Sequence, residues 1–249
     1  MKKIETFIFI HDQEIVLDFL SKNKFKEFSQ FKYVFLGNGN TDKINHLSNL
    51  IISRDLPVNI EQYPKLTSFT GWYSLVKNNL IDSEYVNFFE YDVNFVPNIE
   101  DSINEILNKE IDFIGYFPMP LTDPVYVSQR QYVDELIKII KTKTNVDVDD
   151  IIKNLIDSNI KGYWSSSSNS TWKSSEITKY VNWMSNFIPN IVDSNFCGHM
   201  HERSLSFYYF IYNLKVILTD GLAQHFQLNS HKTSPLPESR SKHLYQFLK

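Results

Sequence analysis

Residues 84–97, EYVNFFEYDVNFVP, set Val, Phe and Tyr side by side with Glu90, Asp92 and Asn94 at alternate positions. Along an extended strand, alternate side chains point to opposite faces, so this spacing predicts Glu90, Asp92 and Asn94 on one face and Phe89, Tyr91, Val93 and Phe95 on the other. One face would pack and the other would present oxygen atoms. Two readings are open at this point: a half-exposed strand with its polar side in water, or a strand that offers oxygen ligands to a metal ion.

The flanking sequence places this stretch within a β-α alternation. IETFIFI is a β-branched and aromatic run that predicts a strand, and in DQEIVLDFLSKN the residues Ile15, Val16, Phe19 and Leu20 recur at helical spacing. KYVFLGNGN predicts a second strand ending in a tight turn, and TDKINHLSNLI a helix capped by Thr41 or Asp42. LTSFTGWYSLVKNNL and INEILNKE predict helices on either side of the opening stretch, and DFIGYFPMP a strand that runs into a proline-rich loop. The fold class expected is α/β, with a central, mostly parallel mixed sheet flanked by helices on both faces. In open sheets of this kind, ligands gather at the carboxyl ends of the strands. His11, Asp12, residues 37–40 and Asp92 all fall at such ends.

The second half predicts helices in QYVDELIKIIKTK, DVDDIIKNLIDSN, KYVNWMSNFIP and HERSLSFYYFIYNL, and a strand in KVIL. The intervening GYWSSSSNSTWKSS is polar with Trp164 and Trp172 on either side of the serines. Because tryptophans are costly to leave in water, it reads as a hairpin or binding loop rather than a tether. The 249 residues, 42% hydrophobic, suffice for a sizeable core. A net charge of −4 gives no basic field for nucleic acid. The single cysteine, Cys197, excludes an internal disulfide and suits a cytoplasmic setting. MKKIETFIFIHD reads as a first strand rather than a signal peptide, and no apolar run approaches the roughly 20 residues of a membrane span, which leaves only peripheral membrane contact open.

TGWYSLVKN, EYDVNF and HERSLSFY, in this order on β-α elements, resemble the GT-A class of nucleotide-sugar-dependent glycosyltransferases, especially the small ones of bacterial capsule loci and large DNA viruses. The resemblance covers about Ile4 to Leu218. It implies one glycosyltransferase domain over residues 1–249, with residues 1–97 as the donor half and 98–249 as the acceptor half and tail. It also implies transfer of a sugar from a nucleotide-diphosphate sugar to a hydroxyl of a glycan or glycoconjugate, with Mn²⁺ or Mg²⁺ as cofactor.

The resemblance makes EYDVNF the acidic motif that bridges a divalent cation to the donor diphosphate, and hard cations do take oxygen ligands. Asp92 would be the main ligand, Asn94 occupies the usual second acidic position, and Glu90 is a further ligand on the same face. His11 and Asp12 would receive base and ribose, although Asp12 equally suits a helix N-cap. Lys77 is a point charge suited to a phosphate, against the plainer reading of a solvated helix lysine. Trp72 and Tyr73 either wall the nucleotide or pack in the core. Glu202 would be the catalytic base of an inverting reaction, and Arg203 would bind a phosphate or pair with a carboxylate. A late histidine, His225 or His231, would add a ligand to the metal. Trp164 and Trp172 would stack on the acceptor sugar.

His199, His201 and Glu202 lack the i, i+4 histidine pair of an H-E-x-x-H zinc site, and GNGN lacks the G-x-G-x-x-G spacing of a dinucleotide site. A sugar nucleotidyltransferase is the alternative enzyme class, but IHDQEIV lacks the glycine-rich basic signature it would want after the first strand. A non-catalytic carbohydrate-binding module, with Trp164, Trp172 and Trp183 stacking on sugars, is the non-enzymatic alternative.

Overall fold

The computed structural model describes residues 2–120, 124–144, 146–147, 150, 163–165, 167–194, 197–225 and 244–247. Most of its strands join one eight-stranded sheet. Its members are β1 (Ile4–Ile10), β2 (Lys32–Phe35), β3 (Leu50–Ile52), β4 (Tyr85–Glu90), β6 (Phe113–Tyr116), β9 (Ser170–Lys173), β10 (Val216–Thr219) and β12 (Leu244–Phe247), in the spatial order β12-β10-β6-β9-β4-β1-β2-β3. The pairs β3-β2, β2-β1, β1-β4 and β6-β10 are parallel, whereas β9 runs antiparallel to both β4 and β6, and β12 antiparallel to β10. Two small ribbons complete the strands: β5 (Val93–Phe95) with β11 (Ala223–His225), and β7 (Pro118–Pro120) with β8 (Tyr163–Ser165). The expected mixed, mostly parallel sheet is present.

Period-2 alternation assigns the core residues to two layers. From β1, Phe7 and Phe9 pack on one face and Ile8 and Ile10 on the other. The first layer is closed by α2 (Ser68–Lys77), α4 (Pro124–Thr144), α5 (Ser174–Ser185) and α7 (Cys197–Ile211), with the short α6 (Ile188–Ile191) beside them. The second is closed by α1 (Gln13–Ser21) and α3 (Ile99–Leu107). Close approach of α2 to the sheet depends on Gly71, where a Cβ would lie 2.6 Å from the Phe9 ring and 2.9 Å from Leu36. Any side chain there would push the amino end of α2 off the tips of β1 and β2.

Several expectations change. The opening stretch is not one strand: β4 stops at Glu90, Tyr91 and Asp92 turn, and β5 leaves to pair with β11. The ladder stops because its partners run out. The last β4-β9 register pair is Phe88 with Ser170, and the Glu90 N–H donates to the Asn169 side chain at 2.7 Å instead of to a strand carbonyl. TDKINHLSNLI forms turns rather than a helix, with Ile44 as its buried anchor. Its Asn, Asp, His and Ser residues are weak helix formers, and Leu50–Ile52 pairs with β2 instead. GYWSSSSNSTW is not a hairpin, because β8 pairs with β7 and β9 with β4 and β6. DVDDIIKNLIDSN lies almost entirely outside the described residues.

Candidate active site at the strand tips

A cleft of about 350 Å³ opens at the carboxyl ends of β1, β2 and β4. Its acidic rim is formed by Glu61, Glu90 and Asp92, with His11 and Tyr91 beside them and Ser68 and Thr70 from the first turn of α2. Phe9, Ile10, Leu36 and Pro64 supply apolar wall. No Lys or Arg lines it among the described residues.

Glu90 sits at the point where β4 ends, its carboxylate accepting from the Ser68 hydroxyl at 2.5 Å and its N–H held by Asn169. Asp92 follows in the turn, half-buried, with Oδ1 shut off from water. The Tyr91 N–H donates to the Phe9 carbonyl at 3.2 Å, and its ring meets His11 edge-on at 5.1 Å. Burial pushes the Tyr91 phenol up to about 12, and the negative charges of Asp92, Glu90 and Asp12 add to the shift. The cleft mouth is thus electronegative, and anything anionic that enters needs an accompanying cation.

The site therefore brings together His11, Glu90 and Asp92, but other expected residues lie elsewhere. Asp12 is the N-cap of α1, its carboxylate accepting from the Glu14 N–H at 2.9 Å. Asn94 is exposed on β5 and its side-chain oxygen accepts from Lys24, and it does not line the cleft: the chain turns at Tyr91 and Asp92, which breaks the alternation that would have aligned it with Asp92. Lys77 closes the far end of α2, donates to Asn182 at 2.7 Å and lies over the Tyr73 ring, a helix length away from the phosphate role expected of it.

Trp172 is a correction of a different kind. It is 0% exposed at the centre of the sheet, stacked on Tyr180 at 5.3 Å and packed on Phe113 at 4.5 Å, so it does not offer a face to a sugar. Trp72, also 0% exposed, belongs to the same aromatic block. The side chains of Trp164 and His225 lie outside the described part. Their backbones pair with Met119 and with Val93, which sets His225 one register step from Asp92. His231 lies outside the described residues.

Glu202 and Arg203 stand on α7. Glu202 is partly exposed and accepts from Arg203 at 3.2 Å, with His199 Nδ1 at 3.4 Å, while Arg203 itself is buried. The first turn of α7 packs on the cleft wall, where a Cβ at Gly198 would stand 3.1 Å from the Lys65 carbonyl and 3.2 Å from the Thr67 methyl. Neither Glu202 nor Arg203 lines the cleft itself. Sequence reasoning missed Glu61, Ser68, Thr70 and Asn169. They come from separate loops and an α2 turn, and no local pattern links them to EYD.

The donor set fits a hard divalent cation held chiefly by one or two carboxylates, with the remaining oxygens supplied by a bound phosphate and water. Among the described residues, no three His, Cys, Asp or Glu side chains gather closely enough to hold a metal unaided. Nor is any described helix long and apolar enough to cross a membrane.

No protein-family model matches the chain, and no curated protein sequence does. Solved structures do. The chain is similar to the apo structure of the WbbM bifunctional glycosyltransferase at a TM-score of 0.60 and 11% identity, with 90% of this chain covered and 45% of that one. It thus spans about half the length of that protein. A lesser likeness, TM-score 0.40 and 8% identity over 91% of this chain and 73% of the other, is to glucosyl-3-phosphoglycerate synthase from Mycobacterium tuberculosis in complex with Mn²⁺, uridine diphosphate and glucosyl-3-phosphoglycerate. At these identities the likeness speaks for architecture: this chain has a GT-A-like fold.

Proposed function

We propose that the chain is a glycosyltransferase that moves a sugar from a nucleotide-diphosphate donor to a hydroxyl of a glycan or glycoconjugate, with Mn²⁺ or Mg²⁺. The observation that carries this reading is the cleft at the tips of β1, β2 and β4. It gathers Glu90 and Asp92 on an apolar-walled pocket with no lining Lys or Arg among the described residues, within a GT-A-like fold. A diphosphate enters such a pocket only with its charge offset. Asp92, assisted by Glu90, would hold the cation, which would supply positive charge to offset that of the departing diphosphate.

The chain's own groups do the rest. The first turn of α2 borders the cleft with its amino end, where the helix dipole favours a phosphate, while the Ser68 and Thr70 hydroxyls donate to Glu90 and to the Thr67 carbonyl. His11 borders the same space and positions the nucleoside. Glu202, restrained by Arg203 and His199 on the helix behind the cleft wall, takes the proton of the acceptor hydroxyl in an inverting transfer. Residues 1–97 form the donor half of one domain and residues 98–249 contribute the acceptor half.

A thermal-shift series with nucleoside diphosphates and their sugars, each with and without Mn²⁺, tests the reading. At least one should raise the melting temperature more with metal than without, because a ligand that binds only the native state stabilises it by mass action. A flat response across the series rejects it.

A further inference from the structure

Asn169, the residue just before β9, ties together two strand tips at the point where the ladder between them ends. Its backbone carbonyl accepts the Tyr116 N–H of β6 at 3.2 Å, and its side-chain oxygen accepts the Glu90 N–H of β4 at 2.7 Å. It is 0% exposed and does not line the cleft, so its influence on a ligand runs through Glu90.

The Asn169 amide fits only one way round. A backbone N–H donates and cannot accept, so Oδ1 faces Glu90 and Nδ2 donates to the Ser167 hydroxyl at 2.6 Å. The same hydroxyl accepts the Asn169 N–H at 3.0 Å, which holds the side chain against its own turn. The turn is anchored in its own right. The Ser165 hydroxyl donates to the Ser167 carbonyl at 3.3 Å, and the Ser165 N–H donates to Ser206 of α7 at 3.1 Å. On the other side of β4, the Tyr91 N–H goes to the Phe9 carbonyl of β1 at 3.2 Å. Two successive N–H groups at the tip are thus held from opposite neighbours, and Asp92 is the first residue beyond them.

We propose that Asn169 is a positioning residue for the cation: by holding the Glu90 N–H it fixes where the Glu90 and Asp92 carboxylates stand, and so sets how strongly a divalent cation couples to a diphosphate in the cleft. This rests on the transferase reading and adds to it a residue that is itself remote from the ligand. Without the Asn169 oxygen, the Glu90 N–H has no strand carbonyl to replace it, and the tip shifts to find another acceptor. Displaced carboxylates lose affinity for the cation, whereas the apolar wall of the cleft is untouched. A residue that only stabilised the fold would weaken metal-free and metal-dependent binding alike.

Calorimetry with UDP, dTDP, GDP, CDP and ADP, each with Mn²⁺ and with EDTA, tests it. For the tightest binder, the coupling ratio is the dissociation constant in EDTA divided by that in Mn²⁺. Asn169→Ala should lower this ratio by about tenfold, the lower end of what loss of an outer contact costs a metal site, and leave the constant in EDTA within about twofold. Thr171→Val is the control. Its buried hydroxyl lies two residues on in β9 and bonds Asn87 at 2.6 Å and Tyr116 at 2.9 Å, so the change weakens the same strand without touching Glu90. It should lower stability and keep the coupling ratio within about twofold of the wild type. A ratio in Asn169→Ala within about twofold of the wild type, or an equal fall in Thr171→Val, overturns the positioning role and leaves the transferase reading intact. Failure of every nucleotide to bind the wild type more tightly with Mn²⁺ overturns both. If Asn169→Ala does not fold, Ser167→Ala decides, because it releases the amide while keeping its oxygen: the ratio should fall about threefold or more, and an unchanged ratio overturns the proposal.

Discussion

The cleft at the strand tips and the aromatic block behind it both contain polar side chains shielded from water, but in the cleft they line a cavity and in the block they are packed among rings. In the block, Trp72, Trp172, Tyr180, Tyr208 and His201 interlock at ring separations of 4.9 to 6.3 Å. The serine tract beside it is hydrogen-bonded within itself, Trp172 Nε1 donating to the Ser170 hydroxyl, the Ser170 hydroxyl to the Ser168 carbonyl and the Asn169 amide to the Ser167 hydroxyl, although Ser168 Oγ, Trp72 Nε1 and both His201 nitrogens find no partner among the described residues. In the cleft, Glu61, Glu90 and Asp92 line a cavity. A packed aromatic block contributes to stability. Carboxylates gathered on a cavity are an arrangement for a ligand.

Substitutions separate the two regions. Trp172→Ala should cost about 3–5 kcal/mol, the range for removing a large aromatic side chain from a core, read as a lower urea midpoint at an unchanged slope. A loss below about 1 kcal/mol would mean that Trp172 is not the keystone of the block. Asp92→Asn should do the reverse. Stability should move by less than about 0.5 kcal/mol, while sugar transfer falls roughly a hundredfold or more, because one well-placed electrostatic contact is worth about 3 kcal/mol in the transition state. Transfer at the parental rate in limiting Mn²⁺ would break the comparison by making the cleft an ordinary surface.

A smaller effect sharpens it. His201 is fully buried against Phe69, Trp72 and Tyr180, and burial lowers its pKa from the ordinary 6.5 to about 3. Between those values the unfolded chain binds a proton that the folded one does not. The stability this neutral histidine contributes is therefore fully present above pH 6.5 and is lost as the pH falls toward 3. At pH 5 the loss is about 2 kcal/mol, at 1.36 kcal/mol per pH unit below 6.5. That figure depends only on the folded-state value lying below 5. His201→Leu should flatten the stability profile between pH 7 and pH 5 by that amount in paired urea titrations. A parallel profile would mean that the block admits a protonated imidazole.

His11, Glu90 and Asp92 were legible because they stand at or just beyond strand ends, and strand ends follow from runs such as IETFIFI and YVNFFE whose β-branched and aromatic content is local information. Asn94 was misplaced because the alternation rule holds only while the ladder continues. It stopped at Glu90 when Asn169, 79 residues away, took the next N–H. Trp172 was misplaced because a serine tract between two tryptophans reads as a binding loop, whereas hydrogen bonds within the tract help fit it for the interior.

The sequence by itself determined the alternation of strands and helices, the two-faced core and the acidic stretch at a strand tip, all of which rest on periodicity over fewer than about ten residues. Tertiary structure alone decided which polar groups share the cleft. Glu61, Ser68 and Glu90 meet there from separate segments, and Gly71 lets α2 come close enough to close one wall. The physical reason is reach: periodicity tells a side chain which face it occupies, but its neighbours across a sheet are chosen by strand order and register, which no local run of residues contains.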